Sequence, residues 1–316
     1  MTLAPGTRLL GVAGALAIVY VVWGSTYTGI AYGLETMPPL LLAGTRFLAA
    51  GAVLYAVVRL SGARATRPTR RHWAAAALTG TPLLVLGNGG VVWAQQRVPS
   101  GIAALLVATV PLWIAALDRL VFGRRLDRWS VLGLALGFAG IATLVDLGGT
   151  GGADALGSAV LVLAALGWAS GTLLARGASL PPHPLLAAAM QMLAGGAVLT
   201  VAATVAGELN DVGAVSGRSL AGWAYLVVFG SIVAFSAYGW LLRVAPTGLV
   251  ATYAFVNPVV AVLLGWLMLG ESVGARELAA GGIIVAGVAL IVLGTARSTA
   301  PGREPKRRLA AEPSSA

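Results

Sequence analysis

The chain has 316 residues, of which 58% are hydrophobic and only 10% are charged, and its formal net charge is +10. The polar side chains are too few to cover the surface of a soluble protein of this length. The composition therefore predicts an integral membrane protein. The arginines stand in short segments between apolar runs, which argues against a continuous nucleic-acid-binding face. Disulfides and thiolate metal sites are excluded because the sequence contains no cysteine.

Apolar runs of about 18 residues or more recur along the sequence, close to the roughly 20 that a helix needs to cross a bilayer. Segments of about ten residues with alternating polarity are absent, which favours helices over a barrel. We therefore predict an all-α integral membrane protein with ten transmembrane helices, of which the fifth and tenth are short. The predicted spans are residues 9–31, 39–60, 73–95, 100–120, 129–145, 156–174, 184–205, 221–242, 248–269 and 278–293.

Two terminal segments flank the predicted spans. Residues 1–8 are expected to be a short cytoplasmic N-terminus, and the first span is interpreted as retained because no small-residue cleavage site follows it. Residues 296–316 include STAPGREPKRRLAAEPSSA, which is rich in proline, serine and charge, so we expect a disordered basic cytoplasmic tail.

The second half of the sequence repeats the first. A shift of 145 positions superposes Trp23 on Trp168 and LAAGAVL on LAGGAVL, and a shift of 147 superposes Pro111 on Pro258. This near-constant offset predicts two copies of a five-span unit, over residues 9–146 and 147–295.

Because five is odd, the second copy is expected to enter the membrane from the opposite side. Four arginines lie between positions 64 and 71, in the loop that joins spans two and three, whereas the equivalent loop carries Glu208, Asp211 and Arg218. Opposite charge in equivalent loops is what the positive-inside rule requires of two inverted repeats, and it puts both termini in the cytoplasm. Inverted repeats are typical of secondary transporters, whose binding site lies where the halves meet.

Three segments carry a resemblance to a known family. WGSTYTGIAYG at 23–33, GTRFLAAG at 44–51 and NPVVAVLLGWLMLGE at 257–271 resemble the EamA branch of the drug/metabolite transporter superfamily, and the resemblance covers about residues 9–293. It implies an exporter of the bacterial inner membrane that works by alternating access around a central cavity, without nucleotide hydrolysis. The first copy departs from the pattern, because Arg124 stands where the second has Glu271. We interpret Glu271 as a span terminus or loop anchor rather than a coupling group.

Pro111 and Pro258 are candidate hinges. Each lies about ten residues into its span, where a proline frees one carbonyl and bends the helix. The alternative is a fixed packing kink, since proline is common in membrane helices. Asn257 precedes the second proline, and it is expected either to cap the freed backbone or to contact substrate.

Arg46 is the one basic residue that falls well inside a predicted span, about seven residues or roughly 10 Å from its end, whereas Arg59 and Arg119 each lie next to the last residue of a span. An arginine at the centre of a membrane helix costs about 2.5 to 3.5 kcal/mol on insertion scales, so it is expected to face protein or water. We predict that it attracts an anionic substrate group. The alternative is a side chain that snorkels to the headgroups or pairs with carbonyls. Its counterpart in the second copy is Gln191.

The remaining cavity candidates are aromatic and polar residues near the middle of their spans, which would suit an amphipathic small molecule. Each taken alone is also typical of an interfacial belt. These candidates are Trp23, Ser25, Tyr27, Asn88, Trp93, Trp168, Ser170, Tyr238, Trp240 and Tyr253. No catalytic residue, metal site or cofactor is predicted, because no cluster of His, Asp or Glu occupies the spans.

The leading hypothesis is a secondary transporter that exports small amphipathic metabolites, such as amino acids or toxic compounds. An importer or exchanger of sugars or phosphorylated metabolites is the alternative, and a second basic residue beside Arg46 would favour it. A membrane scaffold without transport is a more remote alternative. The glycines of spans five and ten could support a homodimer or, as we expect, packing within one chain.

Overall fold

The computed structural model describes residues 5–61, 67–123, 128–144, 154–245, 247–250 and 252–298. Every regular element within these ranges is a helix. Most of the expected tail and several of the loop arginines lie outside the described residues. The helices are α1 Pro5–Gly33, α2 Pro39–Leu60, α3 Arg70–Ala94, α4 Ser100–Phe122, α5 Arg128–Leu144, α6 Ala155–Gly177, α7 Pro184–Val205, α8 Gly217–Val244, α9 Tyr253–Leu269 and α10 Ala275–Ser298.

Eight of these described helices are long and apolar enough to cross a membrane, and α5 and α9 are shorter apolar helices. The predicted bounds of α2 and α7 coincide with the observed ones, because each helix begins at a proline that is preorganised for the first turn. The expectation that the tenth span is short was wrong, since α10 has 24 residues. The ninth is short instead, because a turn at Thr252 separates α9 from the small helix Thr247–Val250.

The same local geometry recurs at the repeat spacing. The helix α4 ends at Gly123 with φ of 66°, and α9 ends at Gly270 with φ of 67°, a left-handed conformation that glycine adopts without a steric penalty. A π-helical stretch interrupts α3 at Thr81–Gly89, and another interrupts α8 at Leu226–Val233. The two π-helical stretches begin 145 residues apart. Such wide turns are rare and concentrate at functional sites.

Glycine faces bring α5 and α10 into close contact. A Cβ atom added to Gly287 would lie 2.7 Å from the carbonyl oxygen of Gly133 and 2.8 Å from the backbone nitrogen of Gly137. The small residues predicted in these two spans are therefore used in packing within the chain. The helices α2 and α7 are joined in the same way, since a Cβ at Gly196 would lie 3.0 Å from the carbonyl oxygen of Gly44.

Two carboxylates bind the N-termini of other helices. Glu271, which follows α9, accepts hydrogen bonds from the backbone nitrogens of Ser100 at 2.6 Å and Gly101 at 3.1 Å, and from the Ser100 hydroxyl at 3.0 Å. Glu208, which follows α7, accepts from the backbone nitrogens of Leu40 and Leu41 at 3.2 and 2.8 Å. Each carboxylate thus satisfies donors that an isolated helix leaves unpaired, as expected for a loop anchor at Glu271.

Candidate functional site

A cavity lies between the two halves of the chain. Its walls come from α1, α3 and α4 of the first half, from the equivalent α6, α8 and α9 of the second, and from Arg46 on α2. The empty space between the lining atoms, its open side included, is about 850 Å³. The lining residues are Trp23, Thr26, Tyr27, Ile30, Arg46, Gly87, Asn88, Val91, Ala104, Val107, Ala108, Val110, Pro111, Ala164, Trp168, Phe235, Tyr253, Ala254, Asn257 and Pro258.

Helical spacing decides which residues face the cavity. The lining residues of α1 are Trp23, Thr26, Tyr27 and Ile30, a set spaced by three and four residues that shares one helix face. Ser25 is two residues from Trp23, so it is rotated by about 200° and faces away.

Arg46 is buried at the edge of this cavity. Its side chain is 3% exposed, and its Nε donates a hydrogen bond of 3.0 Å to the Oγ of Ser231 on α8. The guanidinium carbon lies 4.8 Å from the centre of the Phe47 ring. Among the described residues no carboxylate lies within ion-pair distance of Arg46. The described part of the chain does contain ion pairs elsewhere, between Arg176 and Asp118 and between Arg218 and Glu35. The side chain therefore faces protein and cavity rather than the headgroups.

The wall beside Arg46 is the backbone of the second π-helical stretch. The indole Nε1 of Trp23 donates to the carbonyl oxygen of Gly230 at 3.2 Å. A Cβ atom on Gly230 would lie 3.2 Å from an Nη atom of Arg46 and 3.0 Å from the Cγ2 of Thr26. Gly230 thus holds the indole on one side and leaves space for the guanidinium on the other.

The repeat-equivalent position is neutral and lies outside the cavity lining. Gln191 on α7 donates from Nε2 to the Oγ1 of Thr79 on α3 at 2.8 Å. As Arg46 joins α2 to α8, so Gln191 joins α7 to α3. The two halves share this helix-to-helix link and differ in its charge.

Asn88 and a group of aromatic rings complete the polar and apolar walls. The Nδ2 of Asn88 is buried and has no hydrogen-bond partner within the described chain. The ring of Trp23 lies 5.3 Å from that of Phe235 and 5.2 Å from that of Tyr253, both in edge-on geometry. Trp168 faces the cavity from α6. The cavity therefore offers aromatic surface, one cation and one unpaired amide donor.

Both candidate hinge prolines line the cavity. The helix α4 is interrupted at Ala108 and Thr109, and Pro111 is the second residue of the segment Val110–Phe122 that follows. Pro258 lies inside α9, six residues after the turn at Thr252.

Asn257 bonds to backbone carbonyls of two helices. With its amide oriented to satisfy its neighbours, Nδ2 donates to the carbonyl oxygens of Tyr253 and Tyr20, each at 3.2 Å. The side chain thereby caps backbone carbonyls on α9 and α1, and it also lines the cavity.

Five of the sequence candidates lie away from the cavity. Ser25 contacts the hydroxyl of Tyr225, and Ser170 donates to the carbonyl of Leu166 on its own helix. Tyr238 packs behind Trp23, with the ring centres 5.1 Å apart. Trp93 lies beneath the guanidinium of Arg97. The indole of Trp240 packs on α1, 3.3 Å from where a Cβ of Gly11 would stand.

Sequence reasoning missed several cavity residues, among them Thr26, Ile30, Val91 and Phe235. Helix periodicity was the available signal for the α1 residues, because Thr26 and Ile30 follow Trp23 at three and seven residues. Ser231, which positions Arg46, carried no signal in its own sequence context.

Comparison with known proteins identifies the family of the chain. The model of the EamA-like transporter family matches twice, over residues 10–145 and 155–293. An Escherichia coli protein named as the uncharacterized inner membrane transporter YedA is 44% identical over 91% of this chain and 92% of its own length. A Salmonella typhimurium protein named as a probable amino-acid metabolite efflux pump is 29% identical over 89% of this chain and 95% of its own.

A solved crystal structure shares the fold, with a TM-score of 0.61 and 20% identity over 94% of this chain and 100% of that chain. The two family matches together span most of the chain, and they divide it near the middle, between α5 and α6. The chain belongs to the EamA-like transporter family.

Proposed function

We propose that the protein is a secondary transporter that exports small amphipathic metabolites by alternating access. The observation that carries the proposal is the cavity shared by equivalent helices of both halves, with the buried guanidinium of Arg46 in its wall. Export of small metabolites is also consistent with the name of the Salmonella relative, a probable amino-acid metabolite efflux pump.

The proposal includes the topology. Ten membrane helices form two inverted five-helix repeats, and both termini lie on the cytoplasmic side of the bacterial inner membrane. The recurrence of π-helical stretches and glycine caps at offsets of 145 and 147 residues supports the repeat. The opposite charge of equivalent loops supports the inversion. The name of YedA, an inner membrane transporter, supports the location.

In this mechanism each half closes one end of the cavity in turn. The interruption of α4 before Pro111 and the turn that precedes α9 and Pro258 are the points at which these wall helices bend. Broken helices around a site of this kind are how transporters expose backbone polar groups to a substrate. Movement of α1 relative to α9 is resisted by the bond from Asn257 to the Tyr20 carbonyl.

The alternatives fit the cavity less well. A phosphorylated substrate would call for a second cation, and Arg46 is the only charged residue among the described residues that line the cavity. A scaffold would gain nothing from burying an arginine beside an empty space.

The test is exchange in liposomes. Purified protein reconstituted into vesicles should exchange labelled for unlabelled metabolite without ATP, and a panel of organic acids, amino acids, amines and sugars covers the proposed substrates. Protein-free vesicles give the background. Absence of exchange for every compound, with the protein correctly inserted, would overturn the proposal.

A further inference from the structure

We infer that the preferred substrate is a monoanionic organic acid with an aromatic or similarly bulky apolar body, whose carboxylate binds Arg46. This inference rests on the proposed transport function and narrows it. It separates such acids from zwitterionic amino acids, from amines and from phosphate esters.

The charge of the cavity wall is the first argument. Arg46 is the only ionisable group of fixed charge among the lining residues, and it has no carboxylate partner in the described chain. A buried charge without a partner is unfavourable in a medium of low dielectric constant. A monoanion brings the charge of the occupied cavity to zero. A zwitterion also brings an ammonium group that no carboxylate in the wall can neutralise, and a phosphate dianion leaves one negative charge in excess.

The hydrogen-bond donors are the second argument. The Nε of Arg46 is already bonded to Ser231, which leaves the paired Nη groups for a ligand. Two parallel N–H groups match the two oxygens of one carboxylate. The Nδ2 of Asn88 is a further buried donor without a partner among the described residues. Both sites call for an acceptor on the ligand rather than for a second donor such as an ammonium group.

The aromatic wall is the third argument. Trp23, Phe235 and Tyr253 form one edge-on cluster, and Trp168 faces the same space from α6. Aromatic rings pack favourably on such surfaces, beyond what the buried area alone contributes. A ring carried on a short chain that ends in a carboxylate would occupy this wall and reach the arginine together.

The experiment holds the ring constant and varies the charge. The probes are 3-phenylpropionate, phenylalanine, phenethylamine and phenyl phosphate, offered to vesicles that contain wild-type protein. We expect 3-phenylpropionate to be exchanged with an apparent affinity at least about tenfold higher than that of phenylalanine. The reason is that the ammonium group of phenylalanine would be buried without a carboxylate to pair with. Arg46→Gln should remove this preference. Arg59→Gln, an exposed arginine on the same helix, should keep it.

Each outcome separates this inference from the transport proposal. Exchange of phenylalanine, phenethylamine or phenyl phosphate at equal or higher affinity would overturn the inference and leave transport standing. Exchange of none of the compounds in the wider panel would overturn transport itself. If Arg46→Gln does not fold, Arg46→Lys keeps the charge without the paired Nη geometry and should show an intermediate preference. Comparison of the four probes on the wild-type protein tests the preferred charge of the substrate without any variant.

Discussion

The Nε of Arg46 and the hydroxyl of Ser231 are joined by a hydrogen bond of 3.0 Å, although 185 residues separate them along the chain. The bond crosses from α2 in the first half to α8 in the second, at the π-helical stretch Leu226–Val233. The bond fixes the orientation of the guanidinium, whose Nη groups remain as donors. It also holds the guanidinium beside Gly230, the residue whose carbonyl accepts the hydrogen bond from the indole of Trp23. Any movement of one half against the other must therefore move or break this contact.

Removing the hydroxyl should loosen the arginine without removing its charge. We expect Ser231→Ala to weaken substrate binding by about three- to tenfold, the usual effect of one lost hydrogen bond. Ser236→Ala is the matched control, because within the described ranges Ser236 bonds only to the Ile232 carbonyl of its own helix. Binding measured by thermal shift with a substrate series would reveal the difference. Equal effects of the two variants would contradict a positioning role.

Adding a methyl group beside the guanidinium should crowd the site. In Gly230→Ala the new Cβ would lie 3.2 Å from Arg46 Nη and 3.0 Å from Thr26 Cγ2, closer than most contacts of this type. Overpacking costs about 1 to 3 kcal/mol, so we expect exchange to fall by about tenfold. The amount of inserted protein should stay close to wild type.

Gly239→Ala, also on α8, is the control for crowding. A Cβ at this position would lie 3.8 Å from the nearest side chain, that of Pro184. Exchange by this variant should match the wild type. Wild-type exchange by Gly230→Ala would show that the guanidinium moves aside freely and does not need its observed position.

Glu271 should act on stability. We expect Glu271→Gln to lower the free energy of unfolding by about 1 to 2 kcal/mol, because the charged bonds to the first turn of α4 are weakened. Glu277→Gln removes a carboxylate that forms no hydrogen bond to the described residues, so it should change stability little. Thermal unfolding in detergent measures both. A large loss of exchange by Glu271→Gln at unchanged stability would instead assign Glu271 to ion coupling.

The inverted topology predicts opposite labelling of equivalent loops. Arg67 and Val212 are both exposed and are 145 residues apart. The natural sequence lacks cysteine, so Arg67→Cys and Val212→Cys each provide a single thiol. In intact cells a membrane-impermeant maleimide should react with the second variant and reach the first only after lysis. Reaction of both thiols from the same side would contradict the inversion.

Periodicity in the sequence was sufficient to predict the helices and many of the cavity residues. The bounds of α2 and α7 followed from prolines at their starts, and Trp23, Tyr27, Trp168 and Asn257 line the cavity as the sequence suggested. Ser25 was predicted to line the cavity as a polar residue near the middle of its span, but it contacts Tyr225 instead. The angle between Ser25 and Trp23 on the helix would have separated them.

Other features depended on contacts that are distant in sequence. Arg46 could have snorkelled along its own helix, and its inward orientation depends on Ser231 and on the space left by Gly230. The π-helical stretches have no compositional mark, because a wide turn is selected by packing against neighbouring helices. The shortness of α9 likewise reflects the turn at Thr252, inside an apolar run that hydropathy reads as continuous.

The π-helical stretch in α8 also separates the local backbone from the helix that follows it. Such a turn accommodates one residue more than an ordinary α-helical turn, so deleting a single residue of Leu226–Val233 would let the segment relax to regular winding. Because the wide turn already absorbs the extra residue, Phe235 and the residues beyond it would keep the directions in which they now point. The carbonyl of Gly230, which accepts from the indole of Trp23, would move instead. A one-residue deletion in this segment is therefore expected to disturb the wall beside Arg46 and to leave the rest of α8 in place.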